Sequence, residues 1–103
     1  MPESGIQKKI MLALSEAGCT VWRNNTGRFL NPNGQLVKFG LCVGSSDLIG
    51  ITPDGRFLAI EVKGNRGKVS EHQKNFINHV ISKGGIAGVA RSAEDAIRLL
   101  DTV

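Results

Sequence analysis

The chain contains no run approaching the ~20 apolar residues of a membrane span, so no membrane helix is expected and no membrane partner. It has only two cysteines, Cys19 and Cys42, unclustered and without a second pair or a histidine at ligand spacing. That excludes a recognisable zinc motif and a secreted disulfide scaffold, and both cysteines read as small buried side chains. Repeats, low-complexity tracts and a clear linker are all missing. Residues 1–103 therefore read as one domain, with no room for a second core. The N-terminus, Met-Pro-Glu-Ser-Gly, lacks the basic-then-apolar pattern of a secretory leader, so a cytoplasmic setting is expected. The segment from Gly64 to Lys68 is glycine-rich and basic but lacks the Gly-Lys-Ser ending of a phosphate loop, so it is not read as a nucleotide site.

What is present is ordinary in bulk and informative in placement. Hydrophobic residues make up 41% of the chain, as in any globular protein, and the net charge is +4. The basic residues are spread along the sequence and include Lys8, Lys9, Arg23, Arg28, Lys38, Arg56, Lys63, Arg66, Lys68 and Lys74. Such a distribution is compatible with a phosphate backbone as partner, although many soluble domains share it.

Residues 3–17 have the spacing of an amphipathic helix, with Ile6, Ile10, Ala13, Leu14 and Ala17 on one stripe, Pro2 at the start and Gly18 at the stop. Glu3 and Gln7 extend that stripe, which would point Glu3 inward; an acidic residue in a first turn also simply complements the helix dipole. Thr20 to Arg23 reads as a short strand. Residues 24–33 are polar and read as a mobile loop carrying Arg28 and Phe29. Asn33-Gly34 marks a turn before a strand over Gln35 to Phe39. Gly40 and Gly44 then permit close approach of a ligand, or a bulge. Further on, Ser70-Glu-His-Gln73 has the form of a capping box and opens a helix to about Lys83, with Phe76, Ile77, Val80 and Ile81 inward and Gly84-Gly85 at its end. Ile86 to Ala90 reads as a strand, parallel to the one ending near Lys63. Ser92 caps a last helix, with Ala96, Leu99 and Leu100 as its apolar side. The pattern predicts an α/β fold: a small mixed sheet flanked by helices.

The richest segment is residues 44–64. Asp47 to Ile51 is apolar and β-branched after its first residue, and Arg56 to Lys63 forms a second strand. Pro53-Asp54-Gly55 between them suits a tight turn. A three-residue loop pairs Thr52 with Arg56. Counting outward, Ile51 meets Phe57, Ile49 meets Ala59, and Asp47 meets Glu61. Lys63 shares the face of Glu61. Directly opposed residues lie ~5 Å apart, close enough for two carboxylates to hold one divalent cation. The plain alternative is a surface ion pair. Against it, Glu61 stands among Ala59, Ile60 and Val62, where ionisable groups are costly unless paired or bound to metal. The Ser70 helix starts just beyond Lys63, so Gln73 and His72 are placed to face this cluster, although capping alone accounts for Gln73 and an exposed helix start for His72.

These residues resemble the PD-(D/E)XK nuclease superfamily, whose pattern is a helix, a strand meander with an Asp, a strand bearing E-x-K, then helix and strand. Asp47 matches the Asp and Glu61-Val62-Lys63 the E-x-K; Ser46 stands where the superfamily name has Pro. More specifically, the chain resembles a VRR-NUC domain in the minimal stand-alone form similar to those of phages. That likeness rests on Glu3-Ser4, Val21-Trp-Arg23-Asn24-Asn25-Thr26-Gly27, Gly44-Ser-Ser-Asp47, Gly55-Arg-Phe, Ile60-Glu-Val-Lys63, Ser70-Glu-His-Gln73 and Gly84-Gly85. It implies a restriction-endonuclease-like core and a metal-dependent endonuclease acting on DNA, with Mg²⁺ or Mn²⁺ as cofactor. The expected ligands are Asp47, Glu61 and the Val62 backbone carbonyl. Lys63 would act on the attacking water. Glu3 would serve a second metal or an outer-sphere water, and Gln73 would orient a water or carboxylate. The candidate phosphate contacts are Lys8, Lys9, Arg23, Arg28, Arg66 and Lys68. The resemblance further implies branched DNA, four-way junctions among them, and a homodimer with two sites. If phage-encoded, the cytoplasmic setting would be that of the host cell. A non-catalytic nucleic-acid-binding module on the same fold is the competing reading.

Overall fold

The computed structural model describes residues 2–101. The expected single domain over 1–103 thus includes Met1, Thr102 and Val103, which lie outside the described residues. The elements are α1 (Glu3–Glu16), β1 (Thr20–Arg23), β2 (Gly27–Leu30), β3 (Leu36–Phe39), β4 (Leu48–Ile51), β5 (Phe57–Val62), α2 (Glu71–Ser82), β6 (Ile86–Ala90) and α3 (Ala93–Leu100). Four strands form one mixed sheet in the order β1-β4-β5-β6. β1–β4 and β4–β5 are antiparallel, whereas β5 and β6 are parallel and joined through α2.

β5 explains the layering. Successive strand residues point to opposite faces, and FLAIEV is buried on both from Leu58 onward. Leu58, Ile60 and Val62 join Ile6, Ile10 and Leu14 of α1 and Ala96 of α3 in one apolar layer. Ala59 packs on the other face with Ile77 and Val80 of α2 and Ala87 of β6. Small side chains at 59 and 87 leave room for α2. Glu61 has the parity of Ala59, so the sequence delivers a carboxylate to the α2 side of the sheet while its neighbours fill the α1 side.

The β4–β5 hairpin has the expected register: Ile51 pairs with Phe57 and Ile49 with Ala59, and the Thr52 amide donates to the Arg56 carbonyl at 2.9 Å. Thr52 and Asp54 side chains hydrogen-bond across the turn, and Gly55 has φ of +85°. α2 begins with the full capping box at Ser70.

Other expectations are corrected. Residues 24–33 are not a loop throughout: β2 occupies Gly27–Leu30 and pairs antiparallel with β3 as a separate two-stranded sheet. The signal was hidden because its apolar residues face solvent; Phe29, Leu30, Leu36 and Phe39 are all exposed. Gln35 lies outside β3, held to the Asn31 side chain in the turn. Cys19 is buried but Cys42 is exposed. Ile81 and Ala17 are exposed as well, because α1 and α2 each bury a stripe narrower than the periodicity suggested.

Candidate active site

Asp47 stands just before β4, where the strand ladder runs out. Its carbonyl accepts the Asn24 N–H at 2.7 Å, continuing the β1–β4 pairing, and its Oδ2 accepts the Val62 N–H at 2.8 Å. The carboxylate thus takes over a backbone donor at the end of the hairpin, which fixes it beside Glu61. Val62 is tied to the site through its N–H; its carbonyl, the expected ligand, sits on the same peptide stretch.

Glu61 is only 3% exposed. Its Oε2 accepts from Gln73 Nε2 at 3.2 Å and lies 3.7 Å from Lys63 Nζ, while Oε1 is buried with no hydrogen-bond partner among the described residues. Burial, reinforced by the neighbouring Asp47 carboxylate, pushes the Glu61 carboxyl up to about 8, and the Lys63 ammonium only partly offsets this. Asp47 and Glu61 are therefore two acids forced together in a largely dry place, with one oxygen left unserved.

Gln73 does both things the sequence left open. Its Oε1 accepts the Ser70 N–H at 2.8 Å as the cap requires, and its Nε2 reaches Glu61. Lys63 is largely buried, and its backbone N–H donates to the Ala90 carbonyl at 3.1 Å. The next carbonyl, Gly64, accepts from the Arg91 guanidinium. Gly44, with φ of +84°, lets the preceding loop lie on the start of α2: a Cβ there would stand 2.5 Å from the His72 carbonyl oxygen. His72 itself is exposed.

Glu3 forms no hydrogen bond or ion pair with this cluster among the described residues. It is exposed in the first turn of α1, a helix packed on the sheet face opposite Glu61. Among the described residues no group of three His, Cys, Asp or Glu side chains is placed to hold a metal. A helical stripe shows which residues share a face and not which end of the sheet that face reaches. Lys8, Lys9, Arg23, Arg28, Arg66 and Lys68 are all exposed. Arg66 and Lys68 lie in the loop directly after Lys63, and Lys9 lines a cleft with Asn65 and Arg91. A larger recess of about 700 Å³, lined by Leu41, Phe57, Phe76 and Val80, contains none of these site residues.

Two residues escaped the sequence reading. The Asn24 side chain donates to Ser45 Oγ at 2.8 Å and to the Ser46 carbonyl at 2.9 Å, which pins the turn carrying Asp47. Arg91 clamps the chain after Lys63. Its signal was available in principle: parallel pairing sets Val62 beside Ala90, so the following residues are neighbours.

The buried acid has a thermodynamic consequence. Between its ordinary value near 4.5 and about 8, Glu61 holds a proton in the folded chain and not in the unfolded one. Stability of the metal-free protein therefore falls as pH rises through that window and levels above it. Melting in a chelator from pH 5 to 9 should show Glu61→Gln gaining on the parent chain with rising pH, and the gain should stop growing near pH 8. A gap independent of pH would refute the assignment.

A mixed sheet covered by helices, with an acid before one strand and E-x-K closing the next, defines the restriction-endonuclease-like α/β class. The VRR-NUC domain model matches residues 1–94, and the chain belongs to that family. A solved structure described as a VRR_NUC domain superposes with a TM-score of 0.65 at 23% identity, covering 97% of this chain and 95% of its own. No curated protein sequence matches. Family membership carries a nuclease-type function.

Proposed function

We propose that the protein is a single-domain, divalent-metal-dependent endodeoxyribonuclease that prefers branched DNA and acts as a homodimer. The observation that carries the metal dependence is Glu61: a buried carboxylate with an unpartnered oxygen, beside a second carboxylate. Such a pair is costly by itself and becomes favourable around a cation. The donors are all oxygens, which suits Mg²⁺ or Mn²⁺. Asp47 Oδ and Glu61 Oε1 would hold the ion, with the Val62 carbonyl completing the protein's share. Bound there, a divalent cation supplies an acidified water and neutralises phosphate charge.

The chain's own residues do the rest. The Val62 N–H holds Asp47 in orientation. Gln73 and Lys63 fix Glu61 through Oε2 and leave Oε1 for the ion. The Lys63 ammonium, sharing the face of Glu61, orients the attacking water and stabilises charge building on the phosphate. An ordinary lysine is too weak an acid to serve unaided as a base near neutrality, so orientation is its main role. Glu3 stays outside this set.

Branched DNA and a dimer follow from family likeness and from size, because an 11.0 kDa domain offers one site and paired cuts in a junction need two. Four-way junctions, flaps, forks and linear duplex, each incubated with the protein and Mg²⁺ or Mn²⁺, test the whole reading, with light scattering for mass. Metal-dependent cuts, strongest on a branched substrate and made by a dimer, are expected. DNA binding without cleavage under any metal would leave a binding module instead.

A further inference from the structure

Residues 17–46 contain none of the chain's nine Asp and Glu, yet carry Arg23, Arg28 and Lys38. Two of these cations share one rung. In the β2–β3 ribbon Arg28 pairs directly with Lys38, and Leu30 with Leu36 lies on the same face; Phe29, Val37 and Phe39 take the other. Both basic side chains are exposed, and neither forms an ion pair with a described residue. Like charges directly opposed across strands are destabilising. An isolated two-stranded hairpin is itself marginal in water. This one packs chiefly on itself, β2 against β3, with no extensive packing on any other element.

Its root is the active site. The chain enters the ribbon from Asn24, bonded to Ser45, Ser46 and Asp47, and returns through Gly40 and Gly44, the latter resting on His72. A recess of about 480 Å³ at its base is lined by Arg28 and Lys38 together with Gly40 and Gly44. We propose that the β2–β3 ribbon is a DNA-engaging arm, its Arg28–Lys38 rung seated on the phosphate backbone of duplex DNA so that the strand it holds runs on to Asp47 and Glu61. A phosphate between the two cations removes their repulsion, and a two-stranded ribbon is narrow enough for the ~12 Å major groove. Lys38 thereby joins Arg28 as a positioning residue. The proposal rests on the nuclease reading for its purpose, but its test does not use cleavage.

The test is binding of the full chain to a fluorescently labelled linear duplex, in a chelator, across a series of KCl concentrations. The double variant Arg28→Glu, Lys38→Glu should bind at least about tenfold more weakly, and its log–log salt slope should fall by about two, near one per lost phosphate contact. Lys74→Glu on α2 with Lys83→Glu at its C-cap changes net charge equally and should keep the parent slope. Should the double variant fail to fold, Arg28→Gln and Lys38→Gln singly should each lower the slope by about one. An unchanged slope, or an equal loss in the α2 control, overturns the proposal. So does a changed mass in light scattering with unaltered slope, which would assign the ribbon to a second copy of the chain. Because no metal is present, loss of the nuclease reading would leave this result intact.

Discussion

Glu61→Ala is expected to abolish metal-dependent DNA cleavage, by on the order of 10³-fold or more, while leaving a folded protein. The residue is buried, so the change is not neutral for packing; it leaves a small cavity beside the Gln73 amide. Against that loss it removes a carboxylate that repels Asp47 and sits where ionisation is costly. Glu61→Gln separates the two effects, since it keeps shape and drops charge. It should melt higher than the parent in chelator at pH 8 and yet cleave no better than the alanine variant. Adding Mn²⁺ should raise the melting temperature of the parent and not of either variant, because binding to the folded state alone stabilises it. Full cleavage by Glu61→Gln would end the metal-site assignment.

Lys63→Ala should lose cleavage by about 10²–10⁴-fold, the span usual for a group acting on the proton or charge of the reacting water. Mn²⁺ should still bind, as read by calorimetric titration. The split follows from geometry: Lys63 Nζ approaches Glu61 Oε2, whereas the oxygen left for a cation is Oε1. Removing the ammonium also removes the one charge that lowers the Glu61 carboxyl, so metal binding in the variant should shift to higher pH. If Mn²⁺ no longer bound at any pH, Lys63 would be organising the ligands and its assigned role would be wrong.

Much of this site was legible because local chemistry settles it. The Pro53-Asp54-Gly55 turn fixes the register of β4 and β5, and the register opposes Asp47 and Glu61. The parity of β5 alone then separates Glu61 from Ile60 and Val62. What could not be read depends on placement of separate elements. Glu3 lies on the correct stripe of α1, but nothing local says where that helix starts relative to the carboxylates. Asn24 and Arg91 act through tertiary pairing, one beside β4 and one beyond β6. β2 was invisible for a different reason. Strand patterns are legible through burial on one face, and this ribbon exposes both.

The amide of Gln73 links two otherwise separate free energies. One end closes the first turn of α2 and the other holds Glu61. Fraying of that turn therefore releases the carboxylate, and a carboxylate committed to a cation resists fraying. The start of α2 becomes a local thermometer of site occupancy: backbone amide exchange at Gln73 and Lys74, whose N–H groups bond to Ser70, should slow on loading while the far end of the helix keeps its own rate.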